Sequence, residues 1–293
     1  MSTTVIGVVI GVAVGLMLYA FKRFFKSGED TPYRKPDREF PWQWRKILEE
    51  KVGFYKKLNH KERELFEYKV HIFLLNVRII GIQTEVSHED RILIAASAII
   101  PIFRFKHWHY MGLREVHLYP DKFPIPNTND MANGLVGWGE MDGKVMLSKR
   151  ALHKGYSNQE DGKNVAIHEF IHLLDKADGD VDGVIEGVMD DVDITPWLYL
   201  IQTKINDIHL DKSDISAYGG VNEAEFLAVV SEYFFENPDK MKVEHPALYN
   251  ALDSFFNPPK TNNKGRYTTD YEMCPCGSGK QYGVCCKKNS QYY

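Results

Sequence analysis

Two histidines lie four residues apart in the stretch NVAIHEFIHLLD, residues 164–175. Its apolar residues recur at helical spacing and no glycine or proline interrupts them, so the sequence predicts a helix. Residues four apart share one helical face, so His168 and His172 can direct ring nitrogens at one point. With Glu169 they form H-E-x-x-H, a motif that holds zinc. The alternative is two ordinary histidines on an amphipathic helix.

A catalytic zinc ion usually takes three protein ligands, so a third group must come from elsewhere in the chain. Residues 218–238, YGGVNEAEFLAVVSEYFFENP, predict a second helix that Asn222 can cap. Glu225 stands among apolar neighbours, where an unpaired carboxylate is costly and a metal would neutralise it. We expect Glu225 to be the third ligand, and Glu223 and Glu236 to be solvated or salt-bridged surface groups.

Acidic residues continue beyond the histidine helix. Asp175 lies about one turn past His172 and can either orient a ligand histidine through its ring N–H or serve as a cap or surface group. Residues 178–183 match the start of a calcium-binding EF-hand loop, but Met189 stands where the closing glutamate belongs. We therefore expect a loop near the cleft rather than a calcium site.

The remaining pattern predicts a mainly helical α+β domain with a small sheet next to the histidine helix. Apolar spacing indicates a helical hairpin over residues 42–79, broken near residues 59–60, and a third helix over residues 91–103. Alternating residues predict two short strands, at 114–120 and 144–148. Three later helices are expected over residues 197–208, 222–237 and 246–256.

The composition fits one sizeable globular domain with appendages. The chain has 293 residues, 44% of them hydrophobic, and a formal net charge of −4 at pH 7. It lacks the basic excess of a nucleic-acid-binding protein, so we expect no nucleic-acid partner. All four cysteines lie within residues 274–286, which argues against a disulfide-stapled secreted domain.

Residues 5–21, VIGVVIGVAVGLMLYAF, form an uncharged apolar run close to the shortest that can span a bilayer. No basic side chain precedes the run, whereas Lys22, Arg23 and Lys26 follow it. Basic flanks stay in the cytoplasm, so residues 1–26 predict a single-pass membrane anchor whose following domain faces the cytoplasm. The alternative is a cleaved export signal, which normally carries its positive charge in front.

The predicted organisation places two linkers between three functional parts. Residues 27–40 are charged, contain two prolines and are typical of a linker, and the main domain is expected over residues 41–260. A second linker over residues 261–271 leads to a cysteine-rich element at residues 272–290. In the anchor, glycines at every fourth position permit close approach of a second helix and hence a homodimer. These are Gly7, Gly11 and Gly15.

Four cysteines surround a glycine-rich turn in the stretch CPCGSGKQYGVCC. As thiolates, Cys274, Cys276, Cys285 and Cys286 can close a tetrahedral zinc site. The alternative is free or disulfide-paired cysteines. The stretch resembles the SEC-C motif, a small zinc-binding docking element found on protein-translocation ATPases and other chains. That resemblance implies a structural zinc ion and a protein partner.

Four segments, in order, resemble the Mlc titration factor A peptidases, whose catalytic fold is similar to that of anthrax lethal factor. The likeness spans roughly residues 40–257 and rests on FPWQW, DRILIAASA, NVAIHEFIHLLD and NEAEFLAVVSEYFFENP. It implies a zincin fold of the gluzincin type, in which two histidines and a glutamate bind zinc. These three ligands match His168, His172 and Glu225.

The resemblance also implies roles in peptide hydrolysis. Glu169 matches the catalytic base, which takes a proton from a zinc-activated water and passes it to the leaving amine. Tyr218 matches a tyrosine seven residues before the third ligand and would stabilise the oxyanion, unless it is simply a packed aromatic. Val229 stands where lethal factor has an acidic residue, and it is open whether Glu232 substitutes for that contact.

Two function classes follow from these expectations. The first is a membrane-anchored zinc metallopeptidase, with an aminopeptidase mode as one option, whose cysteine tail contacts a partner. The second is a binding protein that sequesters a regulator, since the titration factors take their name from binding the Mlc repressor. Replacing Glu169 by Gln separates them, because cleavage would be lost while zinc and partner binding would remain. A weaker third option is a cleaved, exported enzyme.

Overall fold

The computed structural model describes residues 34–105, 109–110, 112–158, 161–185 and 194–257. The predicted anchor at residues 5–21, the end of the acidic loop at residues 186–193 and the cysteine-rich element at residues 272–290 lie outside these ranges. Among the helices within them, none has both the length and the apolar character needed to cross a bilayer.

Six short strands are present in this part of the chain. In chain order they are β1 (Arg78–Gly81), β2 (Glu115–Tyr119), β3 (Phe123–Pro124), β4 (Met131–Ala132), β5 (Gly134–Val136) and β6 (Lys144–Ser148). Four of them form one sheet in the order β1-β2-β6-β5, while β3 and β4 form a separate hairpin. The pairs β1–β2 and β2–β6 are parallel, and β5 runs antiparallel to β6.

The two predicted strands are confirmed as β2 and β6, but β1 and β5 were not predicted. Ile79 was expected at the end of a helix, and instead pairs with Val116 in β1. That pairing joins segments far apart in sequence, so no local pattern reports it. The strand β5 has only three residues and begins with Gly134, which weakens the local strand signal.

Ten α-helices surround this sheet in the described residues. They are α1 (Trp42–Lys51), α2 (Gly53–Lys56), α3 (His60–Asn76), α4 (His88–Ile102), α5 (Lys149–Ser157), α6 (Val165–Asp175), α7 (Thr195–His209), α8 (Glu223–Glu236), α9 (Pro238–Glu244) and α10 (Pro246–Phe256). The first predicted helix breaks at Val52, whose backbone is extended. The short helices α5 and α9 were not predicted, and the others lie close to the expected ranges.

Side-chain caps define where several of these helices begin. In each case an oxygen of the capping side chain accepts a hydrogen bond from the backbone N–H of the third helical residue. At the start of α3 and of α4 an acidic residue also bonds back to the cap, forming a complete capping box. Caps of this kind include Asn59, Ser87, Asn164 and Asn222, of which Asn164 and Asn222 begin the two helices that carry the candidate ligands.

The central helix of the fold is α4, in which residues 92–102 are all buried. A helix that is apolar on every side must be covered on every side. It packs against α1, α3, α5 and α6. The histidine helix α6 in turn contacts α4, α5, α8 and the strands β5 and β6. The H-E-x-x-H motif is therefore held between the core, the sheet edge and α8.

Candidate metal centre

The side chains of His168, His172 and Glu225 meet where α6 faces α8. The Nε2 atoms of the two histidines are 3.0 Å apart, and Oε2 of Glu225 lies 3.0 Å from Nε2 of His168 and 3.3 Å from Nε2 of His172. The two histidines point to one place because they lie four residues apart on α6. Glu225 reaches the same place from the first turn of α8, which Asn222 caps. The structure thus brings together the three residues that the sequence predicted as ligands.

This triangle of donor atoms has the size that a zinc ion requires. Zinc–nitrogen and zinc–oxygen distances of about 2.0–2.1 Å in a tetrahedron separate neighbouring ligand atoms by about 3.3 Å. The three observed separations are 3.0–3.3 Å. Two imidazoles and one carboxylate with an open fourth direction are also the donor set of a catalytic rather than a structural zinc site. The residues present therefore fit the metal.

Glu232 makes a contact that sequence reasoning left open. Its Oε1 accepts a hydrogen bond from Nδ1 of His168 at 2.7 Å, and its Oε2 accepts one from the backbone N–H of Asn164. One buried carboxylate therefore fixes the ring of His168 and the start of α6. The available signal was spacing, because Glu232 lies two helical turns after Glu225 and so projects from the same face of α8.

Hydrogen bonds across the site shift the pKa values of the candidate ligands. Burial alone would lower the pKa of His168, but the Glu225 and Glu232 carboxylates outweigh burial and raise it to about 10. Burial alone would raise the pKa of Glu225, but its bonds to His168 and His172 lower it to about 2. Without a metal, His168 therefore carries a proton between these carboxylates at neutral pH.

Glu169 lies beside the triangle and is buried, with 6% of its surface exposed. Burial raises the pKa of Glu169 to about 7, against the opposing electrostatic effect of the neighbouring His168 and His172. Its carboxylate packs directly on the backbone of Gly134 in β5, where the Cβ of any other residue would overlap it. The unpredicted edge strand thus confines the residue that the sequence predicted as the base.

Tyr218 reaches the same site from a 3₁₀ turn, Ala217–Gly220, that precedes α8. Its hydroxyl donates to Oε1 of Glu225 at 3.3 Å, and its ring lies 5.8 Å from that of His168. Burial of the hydroxyl and the nearby Glu225 carboxylate raise the pKa of Tyr218 to about 12. The side chain remains 54% exposed, so it borders the cleft and is not packed in the core.

Asp175 is buried at the end of α6, and its Oδ2 accepts a hydrogen bond from the backbone N–H of Gly183 at 3.2 Å. This contact ties the acidic loop to the histidine helix. Gly183 has a φ of +81°, and a Cβ there would also meet the backbone of Glu223. The suggested role of Asp175 in orienting a histidine stays a prediction, as does the absence of calcium from this loop.

The two glutamates expected on the surface differ from each other. Glu223 is exposed and Glu236 is partly buried, and neither belongs to the group of candidate ligands. Oε2 of Glu236 accepts a hydrogen bond from the backbone N–H of Lys163 at 2.9 Å. Burial raises the pKa of Glu236 to about 8, with the neighbouring Glu232 adding to the effect. The packing of α8 on the start of α6 therefore gives Glu236 a backbone partner that the pattern of a single helix does not show.

A cleft of about 710 Å³ opens over these groups. The strand β5 forms one wall, and the other wall contains the ligand residues and Tyr218. The half-exposed Trp138 lies beyond the end of β5, and the exposed Lys154 and Lys163 lie near its beginning. A cleft with an open metal position, a buried carboxylate and a strand edge has the parts needed to hydrolyse an extended peptide.

Comparison with known proteins agrees with this arrangement. The family model of the glucose-regulated metallo-peptidases M90 matches residues 29–257. An uncharacterized protein of Synechocystis sp. is 26% identical over 268 residues, covering 85% of this chain and 95% of its own. The Mlc titration factor A proteins of Yersinia enterocolitica and Yersinia pestis are 26% and 27% identical over 240 residues. Each match covers 76% of this chain, with 87% of the first relative and 86% of the second. The chain belongs to the glucose-regulated metallo-peptidase M90 family.

Proposed function

We propose that this protein is a zinc-dependent peptidase in which His168, His172 and Glu225 bind the metal and Glu169 is the general base. The observation that carries the proposal is the triangle of ligand atoms, 3.0–3.3 Å on each edge, with Glu169 buried beside it in the same cleft. When bound there, zinc supplies Lewis acidity toward the scissile carbonyl and lowers the pKa of a coordinated water.

The protein's own groups provide the proton transfers. Burial places the pKa of Glu169 near 7, which suits a group that accepts a proton from the attacking water and returns it to the leaving amine. The raised pKa of Tyr218 keeps its hydroxyl protonated, so it can donate a hydrogen bond to the oxyanion of the tetrahedral intermediate. Its present partner, Glu225, lies at a weak 3.3 Å, and the bond is easily exchanged.

The edge of the sheet offers a way to hold the substrate. Within the described residues, β5 pairs with β6 on one side only, and its other side borders the cleft. An extended peptide can add to such an edge through backbone hydrogen bonds, which are independent of the peptide's sequence. This geometry supports the peptide bond as the group that is hydrolysed.

Hydrolysis of a mixed library of quenched fluorogenic peptides by the zinc-loaded full-length protein tests the proposal. We expect wild-type protein to cleave and Glu169→Gln to lose about 10²–10⁴-fold in rate with unchanged zinc content. Glu223→Gln removes the same charge from an exposed position and should cleave normally. Cleavage confined to peptides with a free amino terminus would assign an aminopeptidase mode. Equal cleavage by wild type and Glu169→Gln would reject the assigned base.

A second candidate function is sequestration of a regulator, and the observation that favours it is the name of the relatives, Mlc titration factor A. In this case the domain would bind a repressor-type protein and peptidase activity would be secondary. Glu169→Gln separates the candidates in cells, because it leaves the surface of the domain intact. A regulatory phenotype that survives Glu169→Gln would favour sequestration, and loss of the phenotype would favour proteolysis.

We further propose that residues 5–21 anchor the protein in a membrane with the peptidase domain in the cytoplasm, as a single-pass protein. We also propose that the four cysteines at residues 274–286 hold a second, structural zinc ion and contact a protein partner. The support for both is the sequence pattern. Zinc analysis should give two ions per wild-type chain and one for Cys285→Ser/Cys286→Ser. Membrane fractionation of the full-length protein, followed by protease accessibility, tests the anchor and its orientation.

A further inference from the structure

We infer that Lys154 and Lys163 form a carboxylate-binding subsite on the C-terminal side of the scissile bond. The inference rests on the proposed peptidase function and names a substrate class for it: peptides that carry a negative charge a short distance after the cleaved bond, on its C-terminal side. Two exposed lysines line the cleft that contains the candidate metal ligands. Neither ammonium group has an ion-pair partner among the residues that the structure describes.

The packing of α5 on α6 brings these two lysines together. Lys154 lies in the last turn of α5, and Lys163 directly precedes Asn164, the cap of α6. Between them Gly155 packs on Asn164, where an added Cβ would stand 3.0 Å from Cγ of Asn164. The close approach that this glycine allows places a positive charge from α5 near one from the segment that precedes α6.

The nearby acidic residues that the structure describes bond to groups other than the two lysine ammonium groups. Oδ1 of Asp161 and Oε2 of Glu236 both accept hydrogen bonds from the backbone N–H of Lys163. Burial raises the pKa of Glu236 to about 8, which reduces its negative charge near neutral pH. Glu232 is occupied by His168 and by the backbone of Asn164. Among the described residues that line this part of the cleft, the two ammonium groups are therefore the exposed charges.

The opposite end of the cleft has a different character. There Lys176 donates to the backbone oxygen of Gly137 and pairs with Asp142 at 2.7 Å, and its Nζ lies 4.0 Å above the ring of Trp138. This cation is already paired and covers an aromatic surface. The Trp138 end therefore offers an apolar surface, while the end formed by Lys154 and Lys163 offers free positive charge.

The direction of β5 decides which part of a substrate reaches the lysines. Gly134 pairs with Leu147, and the backbone N–H of Ser148 donates to Asn133, so β5 begins beside the start of α5. It then runs toward Trp138. An antiparallel partner, the more stable pairing, would run from Trp138 toward the start of β5. The C-terminal part of a bound peptide would therefore lie at Lys154 and Lys163.

A carboxylate in this position has two sources, an acidic side chain or the free C-terminus of a short peptide. The test uses matched fluorogenic peptides that differ only by Glu or Gln two residues after the scissile bond. A second pair differs only by a free or an amidated C-terminus. Zinc-loaded wild-type protein and Lys154→Gln/Lys163→Gln are compared by kcat/KM. Binding of the same peptides to zinc-loaded Glu169→Gln, with and without the lysine changes, gives Kd independently of turnover.

We expect wild type to favour the charged member of at least one pair by about fivefold at low salt, and the lysine variant to lose that preference. The preference should also fall as salt is raised. Lys57→Gln/Lys61→Gln removes two exposed lysines that do not line the cleft and should keep the preference. Equal kcat/KM and equal Kd for both members of both pairs would overturn the subsite while leaving the peptidase proposal intact. If wild type cleaves nothing, the peptidase proposal fails, and Kd alone decides whether the lysines bind a carboxylate.

Discussion

Asp90 and its partners Ser87, Lys149 and His153 form a cluster around a buried carboxylate, here called the Asp90 cluster. Like the candidate metal centre, it places a carboxylate against a histidine, but the two clusters differ in how their hydrogen-bond acceptors are paired with donors. Asp90 is fully buried at the start of α4, and Nε2 of His153 donates to it at 2.6 Å. Nζ of Lys149 and the backbone N–H and hydroxyl of Ser87 complete its partners. Burial opposes the ionisation of Asp90, but these donors outweigh it and lower its pKa. Each acceptor has a matching donor.

At the metal centre the donors and acceptors do not match. Nδ1–H of His168 already donates to Glu232, so with a neutral ring its Nε2 would be an acceptor facing Nε2 of His172 and one oxygen of Glu225. Such a group of acceptors is stable only with a proton or a cation at its centre. The difference teaches that a buried polar cluster indicates a binding site when its acceptors outnumber the donors that the protein itself supplies.

Replacing one histidine in each cluster should give the largest difference, with zinc content and activity affected in one variant and the free energy of unfolding in the other. His172→Ala removes a ligand, and we expect loss of catalytic zinc and a fall in peptidase activity of at least about 10³-fold. His153→Ala leaves Asp90 with Lys149 and Ser87, so we expect normal zinc content and a loss of about 1–2 kcal/mol in unfolding free energy. Zinc analysis and denaturant unfolding measure both. If His172→Ala bound zinc at this site as tightly as the wild-type protein does, the assignment of His172 as a ligand would be refuted.

Gly134→Ala probes the contact between β5 and Glu169. The added Cβ overlaps the carboxylate and displaces it, so we expect kcat to fall on the order of 10²-fold with zinc content unchanged. Glu169→Asp shortens the side chain and provides the control. The double variant should therefore be less impaired than the product of the two single effects. Additive losses would show that the glycine does not position the base.

Glu232→Gln weakens the charged hydrogen bond that orients His168. We expect zinc affinity to fall about 10–100-fold while the fold is retained. Asp90→Asn is the matched change in the structural cluster and should lower the unfolding free energy by about 1–3 kcal/mol without altering zinc affinity. Competition with a chelator gives the affinities. If both variants change zinc affinity equally, it is wrong to assign metal binding to one cluster and a purely structural role to the other.

Zinc binding should release protons, which is the smallest of these effects. The raised pKa of His168 means that the metal-free protein holds a proton there at pH 7, and zinc must displace it. The bonds of His168 stabilise the metal-free protein fully below about pH 6.5, and this stability is lost as pH rises toward 10. The lowered pKa of Glu225 gives stability above about pH 4.5 that is lost toward pH 2. Calorimetry in buffers of different ionisation enthalpy counts the protons, and a count of zero would contradict the prediction.

Much of the site could be predicted from the sequence because its signals are local. His168, Glu169 and His172 occupy one helix, and Asn222 and Glu225 occupy another, so helical period and capping chemistry identify them. Most helices were predicted for the same reason. The strand β1 was missed because residues 78–81 look locally like the continuation of a helix. Their strand form depends on pairing with residues 115–118.

The sequence by itself determined which residues are the candidates for the chemistry, since a helix of 3.6 residues per turn places His168 and His172 on one face. Only the tertiary structure decided how they are held. Glu232 reaches His168 across 64 positions, and Gly134 of a three-residue strand confines Glu169. Such contacts depend on the packing of segments that are distant in sequence, and the periodicity of a single segment carries no information about the segment against which it packs.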